Sequence, residues 1–127
     1  ARSAMLAVTR YRIAPAGAAS FLAQARAALA VLAARPGWRT GQVGRAIDDP
    51  TLWVLTSEWD DVGSYRRALS DNEVRLNAVP LLAGAIDEPT AFEVLTDVDG
   101  PGSAVAVDAG HVAVGEAAAP AVPTDLD

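Results

Sequence analysis

The segment from Thr51 to Leu69, TLWVLTSEWDDVGSYRRAL, allows few folds. In its first half, Trp53, Leu55, Ser57 and Trp59 alternate with Leu52, Val54, Thr56 and Glu58, so each set occupies one side of a strand. Both sides are too apolar to be left in water, which makes Leu52–Trp59 a central strand covered on both faces. The second half begins with Asp60-Asp61, carboxylates suited to accept the free N–H groups of a helix start, and continues as a helix through Tyr65, Arg66, Ala68 and Leu69. Trp59 and Tyr65 therefore stand at a strand-to-helix junction. Each has an apolar body and one polar handle, the wall chemistry of a pocket for a flat, polar organic molecule.

The remaining elements follow from periodicity and punctuation. Met5–Ala14 alternates as a first strand, with Ala7, Thr9, Tyr11 and Ile13 on one face and Leu6, Val8, Arg10 and Arg12 on the other; Pro15 and Gly17 end it. From about Ala18 to Ala34, Phe21, Ala25, Ala28, Leu29 and Leu32 recur at helical spacing until Arg35-Pro36-Gly37 stops the helix. Trp38–Ile47 is a second strand in which Gly41 and Gly44 suggest a bulge or a close backbone approach. Asp48-Asp49-Pro50 reads as a turn. Ser70-Asp71-Asn72-Glu73 has capping-box spacing for a second helical piece, ended or kinked by Pro80, and Thr90–Thr96 is a last strand.

Strand, helix, strand, strand, helix, strand is the α+β, ferredoxin-like β-α-β-β-α-β order: an antiparallel four-stranded sheet with its helices on one face. The other face needs a cover, and the simplest is a second copy of the same sheet. The expected assembly is a homodimer closed through its sheet faces, with Glu58, Arg10, Arg12 and Glu93 pairing across it or lying at its rim.

Composition removes whole classes of chemistry. The chain has no cysteine and no lysine, so thiolate nucleophiles, thiolate metal sites and Schiff-base lysines are excluded; its single histidine, His111, has no second histidine to share a metal. Residues 1–97 carry ten arginines against eleven acids, whereas residues 98–127 carry five acids and no base, so the net charge of −6 belongs mostly to the tail. A near-neutral body with an acidic extension is not a nucleic-acid binder. Arg10, Arg12, Arg26 and Arg35 interrupt the alanine-rich front half, and MLAV leads straight into TRYR, so neither a membrane span nor a signal peptide is expected and the reading is cytoplasmic. Residues 1–97 are expected to form one domain, and residues 98–127 an acidic extension packed on a sheet edge or on the partner subunit.

The element order, Pro36-Gly37-Trp38 entering strand two, LWVLTSEW, the following Tyr65-Arg66-Arg67-Ala68-Leu69 and the closing Phe92-Glu93 resemble the antibiotic biosynthesis monooxygenase family of dimeric α+β barrels. The resemblance covers roughly residues 5–96. It implies a cofactor-independent monooxygenase, without metal or flavin, that oxidises a polyketide-type phenol to a quinone with O₂. It also implies a pocket between helices and sheet, with Trp59 and Tyr65 as catalytic residues matching the tryptophan ending strand three and the tyrosine of the next helix. Four positions before Trp59, where the phenol-oxidising members carry asparagine, this chain has Leu55.

Thr9, Tyr11, Gln42, Leu55, Ser57 and Phe92 complete the candidate substrate contacts, and Asn77 and Arg66 could reach the pocket mouth. Each has a plain structural reading beside it. Trp59 can be a core indole donating to a backbone carbonyl, Tyr65 a half-buried packing residue, and Asn77 and Arg66 a solvated helix face. Asp48-Asp49 and Asp60-Asp61 are explained by turn and cap chemistry before acid–base chemistry, and His111 could act as a base only if the tail folded over a pocket. A non-oxidative polyketide cyclase, isomerase or lyase, or a non-catalytic small-molecule-binding barrel, would use the same scaffold.

Overall fold

The computed structural model describes residues 3–100; most of the acidic extension, with His111 and its expected packing, lies outside the described residues. The chain divides into two compact units, residues 1–93 and 94–127, and every element below belongs to the first. These are β1 (Met5–Arg12), α1 (Ala18–Ala33, preceded by a 3₁₀ turn at Pro15–Gly17), β2 (Trp38–Ala46), β3 (Asp49–Trp59), α2 (Val62–Leu69), α3 (Asn72–Asn77), α4 (Val79–Ala83) and β4 (Ala91–Glu93). The sheet order is β2-β3-β1-β4 with every neighbouring pair antiparallel, the ferredoxin-like arrangement.

The longest pairing joins β1 to β3, from Met5 opposite Trp59 to Arg12 opposite Leu52. Burial alternates along both strands. Met5, Ala7, Thr9 and Tyr11 are buried with Trp53, Leu55, Ser57 and Trp59 under the helices, while Leu6, Val8, Arg10, Leu52, Val54 and Thr56 on the other face are only partly covered. The covered side holds two apolar clusters. One gathers Met5, Ala7, Ala28, Leu32, Trp59, Ala68, Val74 and Ala78; the other gathers Tyr11, Phe21, Ala25, Trp53 and Leu55.

Helix α1 supplies Phe21, Ala25, Ala28 and Leu32 to these clusters, a stripe at helical spacing. Contrary to the expectation that arginines break every long apolar run, Pro15–Ala33 is long and apolar enough to cross a membrane by length and composition. Its buried stripe gives that composition a structural use, because alanine-rich turns allow close approach to the sheet. Asp61 caps α2 by accepting from the Ser64 N–H at 2.8 Å. The next cap is Asp71 rather than Ser70, since Asp71 accepts from the Glu73 and Val74 N–H groups while Ser70 closes α2. Pro80 does not terminate the helical segment: the chain breaks at Ala78 and restarts as α4 with proline in its first turn, where no N–H is missed.

Strand boundaries differ from the sequence reading, and β1 ends at Arg12 rather than Ala14. The β2–β3 turn is Ile47-Asp48, and Asp49 and Pro50 open β3; Pro50 lies beyond the β1 pairing, so no ladder bond to β1 is lost there. Asp49 instead accepts from Arg12 at 2.7 Å and from the Thr51 hydroxyl at 2.8 Å. The last strand shrinks to Ala91–Glu93 on the sheet edge.

Glycine is required at two places. Gly37 has φ of +91°, and a Cβ there would run into the Ser64 side chain; Gly41 lies under the Trp38 ring, with the Thr56 carbonyl 3.0 Å from where its Cβ would sit. Gly37 also accepts from the Asp60 N–H at 2.8 Å, which ties the start of β2 to the end of β3. Gly37→Ala should therefore cost about 2 kcal/mol or more, from left-handed strain and overpacking together, read as a lower urea midpoint with an unchanged slope.

Candidate functional site

The two apolar clusters meet on the sheet at Thr9 and Ser57, buried hydroxyl residues near the middle of the helix-facing side. Each carries an aromatic neighbour two residues along the same strand. The Trp59 indole N–H donates to Ser57 Oγ at 2.9 Å, and the Tyr11 hydroxyl donates to Thr9 Oγ1 at 2.9 Å. Thr9 passes its own proton to the Leu55 carbonyl at 3.4 Å. The result is a polar seam across an otherwise apolar floor, built from residues of one parity because strands repeat every two residues.

From α2, Tyr65 leans on this seam. Its ring centroid is 5.6 Å from that of Trp59, while Trp38 meets Trp59 edge-on at 5.5 Å and 89°. Trp59 is thus fully enclosed, whereas Tyr65 is half-buried. Burial raises the Tyr65 pKa above its ordinary value, and the neighbouring Tyr11 adds to the rise; burial raises that of Tyr11 as well, partly offset by its bond to Thr9. Both phenols therefore stay protonated at neutral pH, and Tyr11 donates to Thr9.

The structure brings Trp59, Tyr65, Thr9, Tyr11, Leu55 and Ser57 to this side of the sheet and leaves two candidates elsewhere. Gln42 is exposed and pairs with Thr56, which puts it on the face away from the helices. A register shift between Trp38 and Thr40 reverses the parity of β2, so Gln42 does not share the face of Trp38. Phe92 pairs with Leu6, is 45% exposed and lies on that same outer face; three residues of edge strand carry too little alternation to reveal it. Leu55 is 4% exposed and packs with Tyr11, Phe21 and Trp53 as a core residue.

The weaker candidates take the structural roles open to them. Asn77 turns back to the Glu73 carbonyl and carboxylate of its own helix, Arg66 is exposed, and Asp60 pairs with Arg39 at 2.8 Å. Sequence reasoning missed the donor–acceptor pairing inside Ser57-x-Trp59 and Thr9-x-Tyr11, although same-face spacing was its visible signal. It also missed α4, whose Leu81 packs against both clusters. A separate cleft of about 420 Å³ runs beside Met5, Asp61, Val62, Ala91, Phe92 and Glu93. Of the candidate substrate contacts, Phe92 alone lines it, beside the capping carboxylate Asp61, and Met5, the cross-strand partner of Trp59, belongs to its wall.

Residues 4–75 match the model of the antibiotic biosynthesis monooxygenase family. The chain belongs to that family. A 42.8 kDa protein of the whiE locus in Streptomyces coelicolor is 31% identical over 71 residues, which is 54% of this chain but only 18% of that relative's length. Among solved structures, SnoaB from Streptomyces nogalater, a cofactor-independent oxygenase, superposes with a TM-score of 0.58 at 25% identity, covering 78% of this chain and 98% of its own. A conserved protein from Methanosarcina mazei superposes with a TM-score of 0.59 at 18% identity over 72% of this chain and 91% of its own, which shows the shared fold. The family match spans β1 to α3 and so contains every seam residue.

The seam makes a pH prediction for this antibiotic biosynthesis monooxygenase domain. Tyr11 and Tyr65 are the chain's two tyrosines, and each has a folded-state pKa raised above 10.0. A group raised on folding contributes stability that is complete below its unfolded value and is lost as pH climbs through its folded value. The midpoint of phenolate absorbance should therefore lie above that of free tyrosine, together with loss of the near-ultraviolet circular dichroism of the packed tryptophans. A midpoint at or below that of free tyrosine for either residue in the folded protein would contradict the buried seam.

Proposed function

We propose that this domain is a cofactor-independent monooxygenase that oxidises an anthrone-like phenolic aromatic to a quinone with O₂, binding it along the Ser57–Trp59–Tyr65 seam. The observation that carries the reading is the Trp59 N–H donated to Ser57 Oγ with Tyr65 against the indole. Because Ser57 accepts from Trp59, its own proton is left to donate. Ser57 and Tyr65 hydroxyls can together hold a phenolate oxygen, which suits a site that has Leu55 in place of the asparagine of phenol-oxidising members. Family membership and the likeness to SnoaB support the oxygenase class.

In this reading the substrate enters as its anion and gives one electron to O₂, forming superoxide and a substrate radical. These combine through a new C–O bond to a peroxide anion, which takes up the proton the substrate lost on ionising and becomes a hydroperoxide. Loss of the remaining proton on that carbon breaks the O–O bond and expels hydroxide, so CH₂ and O₂ become C=O and H₂O. The protein's share is to stabilise the anion with aimed donors and keep bulk water away.

The partner in this reading is a second copy of the chain. The outer sheet face presents Leu6, Val8, Leu52, Val54 and the exposed Phe92. Within the chain Arg10 meets Glu88 at 2.8 Å, Arg12 meets Asp49 at 2.7 Å and Arg39 meets Glu58 at 3.4 Å, whereas Glu93, expected beside them, pairs in register with Met5 and so lies on the helix-facing side. Internally paired charges lower the cost of bringing two such faces together.

Leu55, buried where the family's asparagine stands, favours one rival, a non-catalytic binding barrel. Oxygen uptake separates the two. With a 1,8-dihydroxyanthrone, Ser57→Ala should lower kcat by about 10²-fold, the scale of one lost oxyanion donor, and Trp59→Phe, which removes the bond that orients Ser57, should lower it as well, while circular dichroism stays native. Unchanged turnover in both variants sinks the assignment, and binding without oxygen uptake by the unaltered protein favours the rival. Val54→Arg should shift sedimentation from dimer to monomer; a monomeric unaltered protein at assay concentration overturns the sheet-to-sheet partner.

A further inference from the structure

The cover over the seam is uneven. Helix α1 contributes four buried residues to the core, whereas α4 contributes none. Yet α4 carries Leu81, which packs on both apolar clusters and so bridges them from the helix side. Val79 on one side of it touches only the Trp59 cluster, and Leu82 and Ala85 on the other touch only the Trp53 cluster.

The segment holding Leu81 is suspended from two points. At its start, Ala78 is fully buried but leaves helical geometry, with φ of −127° and ψ of −44°, and α4 begins without a side-chain cap. At its end, the Ile86 N–H donates to the Arg10 carbonyl at 2.8 Å, and the Arg10 guanidinium grips both Glu88 oxygens at 2.8 Å. Glu88 lies 78 residues from Arg10 in sequence, so this bidentate pair closes a long loop onto β1. Between these points the chain is one short helix and a turn.

We propose that Leu81 is the gate and size-determining residue of the seam, carried on an α4 segment that turns about Ala78 and is latched shut by Arg10 and Glu88. This inference rests on the seam being the binding site. In the closed arrangement Leu81 bridges the two clusters, and a planar ligand takes its place when α4 swings outward. Phenols larger than one or two rings need Leu81 displaced; smaller ones depend less on it.

A gate of this kind binds ligand only in its open fraction, so the apparent affinity falls by that fraction. Amide exchange in α4 reads the same fraction. Glu88→Gln removes the charge of the latch at a surface position and should speed exchange of the Leu81–Ala85 amides by about tenfold, leaving α1 unchanged, and tighten anaerobic binding of 1,8-dihydroxyanthrone by the same factor of about ten. Leu81→Ala should tighten binding of that three-ring phenol by about fivefold or more, with 1-naphthol altered less than about twofold; Leu81→Phe should do the reverse. Binding is followed by tryptophan fluorescence without oxygen, so the result is independent of turnover.

Equal factors in exchange and affinity establish the gate. Faster α4 exchange with unchanged affinity in Glu88→Gln overturns it, as does size-independent binding across the Leu81 series. If the gate factors agree but oxygen is never consumed, the oxygenase reading fails and the gate stands. If turnover is present but neither factor moves, the gate fails alone.

Discussion

Pairing of β1 with β3 in one register, Met5 to Trp59 through Arg12 to Leu52, is the constraint on which the other features depend. Strand side chains alternate with a period of two, so that register fixes the contents of both faces at once. A slip by one residue would send Trp53, Leu55, Ser57 and Trp59 to the outer face opposite Thr9 and Tyr11. The hydrophobic mismatch would be large, because the outer set carries Arg10, Arg12 and Glu58, which would then share a face with the indoles. Gly37 and Asp61 hold the next links: one turns the chain into β2 and ties it to Asp60, the other starts the helix that brings Tyr65 to Trp59.

Placing hydroxyls and aromatic donors inside that register creates a demand that the strand itself meets. A buried indole N–H or phenol without a partner costs on the order of 1–3 kcal/mol, and Ser57 and Thr9 supply acceptors two residues away on the same strand. Trp53 shows the alternative. Its buried N–H has no partner among the described residues, and the Arg45 guanidinium 5.3 Å above its ring gives a cation–π contact rather than a hydrogen bond. The two tryptophans of β3 therefore differ in kind: Trp53 belongs to packing, while Trp59 sits in a polar network that also has an open donor.

How much of this was legible follows from the strength of each periodic signal. The eleven residues of β3 and eight of β1 carry enough alternation for the sequence to assign both faces, and with them Thr9, Tyr11, Leu55, Ser57 and Trp59 to one side. Asp61 and Pro36-Gly37 announce their helix start and turn through local chemistry. The failures lie where a single residue changes parity or where an element is too short to repeat. The irregularity after Trp38 moved Gln42 to the outer face, three residues of β4 could not place Phe92, and Asp71 took the cap that Ser70 could equally have supplied. Leu81 was invisible for a different reason, since its importance lies in touching two clusters whose boundary exists only after folding.

The same physics decides from which side the seam can be reached. Opening beneath α1 would expose Phe21, Ala25, Ala28 and Leu32 together, and opening the sheet would break the β1–β3 ladder; both approach the cost of global unfolding. Displacing α4 uncovers no fully buried residue of that helix and leaves the sheet ladder intact. Of these three openings, displacement of α4 therefore disturbs the fewest fully buried residues. In the proposed assembly the second copy would cover the outer sheet face, on which Arg10 and hence its pair with Glu88 lie, so pairing of two copies and release of α4 would be coupled through that latch.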